Sequence, residues 1–118
     1  MDINSKTAQL CMEGTRAEFE RRLEDARSLF SQAWAAASDD YERAIAAHYV
    51  AHLEPDAQTA HRWNLVALEH ARRDERAAVF MGSLLVSLGG SFEHLGDAEQ
   101  AESYFAEAAR HGVEHFRG

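Results

Sequence analysis

The sequence predicts an all-α domain of three antiparallel helix pairs, six helices in all. Three observations predict it. Alanine, the strongest helix former, is about one residue in five, and proline occurs once, at Pro55. Apolar residues recur at three- and four-residue intervals between Ser, Asp and Gly punctuation, which is the period of one helix face. One spacing also occurs twice. Ala26-x-x-x-Phe30-x-x-Ala33 has Gly14 twelve residues before it, and Ala101-x-x-x-Phe105-x-x-Ala108 has Gly89 twelve residues before it.

Taken in order, residues 4–20 read as a first helix. Asn4 or Ser5 caps it, and Leu10, Cys11, Gly14, Ala17 and Phe19 form its apolar stripe. A second helix over 22–37 carries Leu23, Ala26, Leu29, Phe30, Ala33 and Trp34. Between them, Arg21 and Arg22 hold the place where a Gly and a capping Asp are usual, so one unbroken helix is the alternative there. Asp39 caps the third helix, 40–53, with Glu42 placed for a capping box. Pro55 breaks the chain, and Asp56 caps a fourth helix that reaches Arg73. Ala26 to Ala60 is 34 residues, whereas Ala60 to Ala101 is 41. The extra seven, Glu75 to Met81, are expected to lengthen the flanking helices, so the fifth runs from Asp74 to Leu95. Asp97, with Gln100 three residues on, caps the sixth, and His111-Gly112 stops it. Residues 113–118 are a tail.

The stretch Leu85-x-x-Leu88-Gly89-x-x-Phe92, Gly96-Asp97, Ala101-x-x-x-Phe105-x-x-Ala108 resembles the tetratricopeptide repeat, and 34 residues is that family's period. The resemblance implies a right-handed superhelix with repeats at about 7–40, 41–81 and 82–115. It implies that Gly89 lets one helix lie close to the next, with Ala101 as its small partner. The middle copy departs from the pattern. His48 stands where a small residue is expected and Asn64 where a Phe is, with Trp63 beside it. In this family the first helix of each pair lines a concave groove. Matched position by position, the groove-facing residues are Cys11, Thr15 and Glu18, then Glu42, Ile45, Tyr49 and His52, then Ser83, Val86, Gly90 and Glu93. None is the Lys or Asn with which some members clamp the acidic tails of chaperones. A mixed apolar and acidic groove suits a peptide with apolar and basic residues, or a partner helix. The expectation is a small protein-interaction module, an adaptor or regulator with a protein or peptide partner and no cofactor. No capping helix follows the last pair. Its outer side, with Tyr104, Val113 and Phe116, invites a homodimer.

Composition narrows the partners. At 118 residues the chain is one domain of ordinary size, and its net charge is −8. A surface of that sign argues against nucleic acid and anionic membranes. Cys11 is the single cysteine, so no internal disulfide forms, and it reads as a buried, inert thiol. No apolar run approaches the ~20 residues of a membrane span. The N-terminal residues lack the basic and apolar regions of a signal peptide, which predicts a cytoplasmic protein.

The residues that could carry chemistry gather in the middle pair. His48 and His52 share one helical face, and His61 comes from the partner helix. Three imidazoles suit zinc, copper or nickel. Against a metal, the His-Glu-x-x-His pattern is absent, and His111 and His115 repeat the same spacing in the tail. The other reading of His48, His61 and Asn64, with Tyr49, His52 and Arg62, is a polar pocket in which His48 or His61 is the acid–base group. The structural counterpart is a satisfied network, for instance His48 bonded to Asn64. Arg72, Arg73 and Arg76 read as a solvated helix junction, Trp34 and Trp63 as packing residues.

Overall fold

The computed structural model describes residues 3–112. The expected tail, with Val113, His115 and Phe116, lies outside the described residues. Six α-helices are present among them: α1 Lys6–Phe19, α2 Leu23–Ala36, α3 Asp40–His52, α4 Ala57–Ala71, α5 Met81–His94 and α6 Ala98–Arg110. A 3-10 helix, Glu75–Phe80, precedes α5. α1 packs on α2, α3 on α4 and α5 on α6, and the pairs are joined through α2 against α3 and α4 against α5. None of these helices is long and apolar enough to cross a membrane.

Capping follows the sequence closely. Ser5, Asp39, Asp56 and Asp97 each accept a hydrogen bond from the backbone N–H three residues on, at 2.8–3.1 Å. Each cap contributes about 1 kcal/mol. The doubtful break after α1 is real. Arg22 N–H donates to the Ala17 carbonyl at 2.8 Å and Arg21 N–H to that of Glu18 at 2.9 Å. Asp97 and Gly96 repeat both bonds to Phe92 and Glu93 after α5. This is the Schellman ending, whose turning residue sits in the left-handed region. Gly96 takes that region with φ 86° and Arg21 with φ 63°. The signal was hidden because an arginine occupies a glycine's position.

Two expectations are corrected. The fifth helix does not begin at Asp74. Asp74 caps a separate 3-10 turn by accepting from Arg76 N–H at 3.0 Å, and Phe80, at φ −121°, interrupts the helix before Met81. The turn is packed in place: Ala77 is fully buried and the Phe80 ring lies 5.5 Å from that of Tyr41. The seven additional residues thus form a spacer, not longer helices. The partner of Gly89 is also different. A methyl group at Gly89 would overlap the Phe105 ring, and one at Gly14 would overlap that of Phe30. Each glycine is the seat of a phenylalanine from the paired helix.

The core is small-residue rich. Ala44, Ala47, Ala67 and Ala71 let α3 and α4 approach, while Leu84, Leu85 and Leu88 of α5 fill the space beside them. Phe30, Leu85 and Leu88 are fully buried, whereas Phe19, expected in the stripe of α1, is exposed. Tyr104 stacks on Phe92 at 5.3 Å, within the last pair.

Gly89→Ala and Gly90→Ala are expected to move stability in opposite directions. At Gly89 the added methyl meets a ring, which destabilises by about 1–3 kcal/mol before the helix-propensity gain of roughly 1 kcal/mol. At Gly90 the added methyl would meet nothing within 4 Å beyond the adjoining residues and backbone of its own helix, so only the gain remains. Urea unfolding at constant m-value reads both, and equal midpoints would mean that Phe105 moves aside freely. Arg21→Gly is expected to stabilise by about 1 kcal/mol by relieving the left-handed backbone. A lower midpoint for that variant would show that the Arg21 side chain holds the turn.

Candidate functional site

One stripe from each first helix meets in a cleft of about 580 Å³. α1 supplies Ala8, Cys11, Met12 and Thr15, and α3 supplies Ile45, His48 and Tyr49. Phe80, Ser83 and Leu84 enter from the junction of the 3-10 helix with α5, and Ile3 lies at one edge. Within each element these positions are three or four apart, so they share a face. None is Asp, Glu, Lys or Arg.

The sequence-predicted groove residues divide. Thr15, Ile45, Tyr49 and Ser83 line the cleft, as does Cys11. The others do not. His52 Nε2 lies 2.7 Å from Glu18 Oε2, a link between α1 and α3. Glu42 is buried, and its carboxylate accepts from the Ser38 N–H at 3.0 Å and hydroxyl at 3.1 Å. It closes the entry to α3, bonding Ser38 where a capping box would bond Asp39. Val86 packs against the main core. Gly90 and Glu93 lie beyond the cleft lining. The expected mixed apolar and acidic groove is therefore an uncharged cleft. Its two nearest expected acids are engaged within the fold.

The polar residues of the middle pair do not form one pocket. His48 reaches the cleft, but its Nδ1 is buried without a hydrogen-bond partner, and no bond to Asn64 forms. His61 Nδ1 meets Ser91 Oγ at 2.6 Å, with its ring 4.4 Å from that of Phe92. Asn64 lies in a separate hollow with Ser87, Ser91 and His94 between α4 and α5. His52 belongs to Glu18. Among the described residues no group of His, Cys, Asp and Glu side chains is arranged to hold a metal ion.

Two titrating groups in the cleft wall are displaced, both chiefly by burial. The Cys11 thiol is pushed up to about 11, with the Glu42 charge adding to the effect, so the thiolate is scarce at neutral pH. The His48 ring is pushed below its ordinary value, with His52 as a lesser cause. The geometry agrees. An imidazolium would bury an Nδ1–H that has no acceptor, so His48 is neutral.

Sequence reasoning missed Ala8, Met12, Phe80, Leu84 and Ile3. Ala8 and Met12 were within reach, one helical step from Cys11 and Thr15. Phe80 was not, because its position depends on the 3-10 spacer. Also unforeseen is His70 Nδ1 at 2.6 Å from Asp40 Oδ1, joining the end of α4 to the start of α3 beside Trp34. The arginine cluster is paired side chain by side chain: Arg72 with Glu107, Arg73 with Glu69, and Arg76 with Asp74 and Asp39.

The histidines give a pH dependence of known sign. Burial holds His48 and His61 both below the ordinary imidazole value of about 6.5. On acidification the unfolded chain takes up these protons first, so stability is full above 6.5 and falls as pH drops through it. His48→Leu is expected to flatten that decline between pH 7.5 and 5.5 without loss of stability at pH 7.5, since it removes an unpaired buried nitrogen. An unchanged slope in the urea midpoints would clear His48 of this role. Comparison with protein-family models, with characterised proteins and with solved structures finds no match for the chain.

Proposed function

We propose that this chain is a protein-interaction module of the tetratricopeptide-repeat type, an adaptor or regulator of the cytoplasm, whose cleft takes an apolar stretch of a partner polypeptide. The observation that carries the reading is the cleft itself: an uncharged trough with one stripe from each first helix. The recurrence of Gly14 with Phe30 and of Gly89 with Phe105, together with the matching Schellman turns at Arg21 and Gly96, supports the repeat. An amphipathic helix with apolar anchors at i, i+3 or i+4, and i+7 is the form of partner such a trough suits. The net charge of −8 favours basic residues on either side of the anchors.

Selection from a displayed random-peptide library tests the reading. Enriched peptides are expected to carry apolar residues at helical spacing and to lose at least tenfold in affinity towards Ile45→Glu, a half-buried position. Gln32→Glu, on the exposed face of α2, is expected to bind as the parent does. Peptides that bind Ile45→Glu undiminished would place the interaction elsewhere on the molecule.

A further inference from the structure

The cleft has a second property that a peptide trough does not require. Its volume of about 580 Å³ falls among small-molecule sites, which typically span ~300–1,000 Å³ and combine apolar walls with a few polar groups. The walls are Ile45, Leu84, Phe80, Met12 and Ala8. The polar groups are distinctive. Among the described residues neither the Tyr49 nor the Ser83 hydroxyl has a hydrogen-bond partner, and Thr15 is tied to the Cys11 carbonyl at 2.9 Å. The lining thus includes two residues whose hydroxyls are not bonded within the fold, Tyr49, half-buried with its ring stacked on Phe30, and the exposed Ser83, beside the His48 ring, and it has no charged side chain.

We propose that the cleft is a binding site for an uncharged, mainly apolar small molecule with a single hydrogen-bonding group, received by Tyr49 or Ser83. Charge is selected against in both signs. An anion would lose its hydration with no cation in the lining, and it would do so inside a chain of net charge −8. A cation would find no free carboxylate there, because Glu18 is held by His52 and Glu42 by Ser38. His48 stays neutral because its enclosed Nδ1 has no acceptor. The inference rests on the cleft being the receiving face. Since one trough cannot hold both occupants, the small molecule displaces the polypeptide segment.

Two fluorescent probes with the same ring system separate the outcomes on the full chain. N-phenyl-1-naphthylamine is uncharged, with one N–H; 1-anilinonaphthalene-8-sulfonate adds a negative charge. The neutral probe is expected to bind saturably at one site per chain, at least tenfold more tightly than the sulfonate. Thr15→Glu, at an exposed lining position, and Ile45→Glu are each expected to weaken it at least tenfold with helicity unchanged by circular dichroism. Equal affinity for the two probes, or binding indifferent to Thr15→Glu, would overturn the proposal. The two readings fail separately. Absence of saturable neutral-probe binding defeats the small-molecule site and leaves the peptide selection to stand on its own result. Neutral-probe binding without enriched peptides supports this site and defeats only the interaction reading.

Discussion

The contact on which the rest of the structure depends is a phenylalanine ring seated on a glycine. Phe30 of α2 lies on Gly14 of α1, and Phe105 of α6 lies on Gly89 of α5. A ring can lie against helix backbone only where no Cβ stands in its way, so each seat fixes the separation and rotation of its pair. Once that rotation is set, the other face of each first helix is set too. Ala8, Cys11 and Thr15 turn towards the cleft because Gly14 turns towards Phe30. Packing and site are therefore two faces of the same helices.

The middle pair solves the same problem differently. His48 stands at the position the flanking pairs give to glycine and lines the cleft, and Asn64 lies in the α4–α5 hollow. Alanines then supply the close approach, with Ala44 and Ala47 on α3 near Ala67 and Ala71 on α4. The arrangement leaves one buried nitrogen unpaired, a penalty of about 1–3 kcal/mol for a neutral group. Departures from local consistency of this kind concentrate at functional sites. Here the departure lies in the cleft wall, not in a second site of its own.

Much of this was legible in the sequence, for physical reasons that differ by element. The six helices and their caps rest on local chemistry, in apolar period and Asp or Ser at N-caps, and these act without tertiary help. The pairing rests on a spacing that recurs. What stayed hidden depends on contacts distant in sequence. Arg21 adopts a glycine's backbone because the turn it serves is held from both sides by α1 and α2. The 3-10 spacer is tied to distant parts of the chain: Ala77 is fully buried, Phe80 lies 5.5 Å from the Tyr41 ring, and Arg76 reaches Asp39, 37 residues away. Glu42 looked like a groove acid because its helical position is right, yet Ser38 claims its carboxylate. Position on a helix tells which way a side chain leaves the backbone, but not what it then bonds.

The spacer also shapes the cleft. The backbone of α3 approaches the third pair at the 3-10 helix, while α5 lies against α4 and α6. Phe80, at the end of the spacer, thereby becomes a wall of the cleft opposite α1. A chain with 27% charged residues would ordinarily bring some of them to any concave surface. The lining has none, and several acids are instead tied between neighbouring helices: Glu18 to His52, Asp40 to His70 and Glu107 to Arg72. The exposed pair of Arg72 with Glu107 contributes little stability, about 0–1 kcal/mol. The cleft lining is left to residues such as Ile45, Leu84, Tyr49 and Ser83.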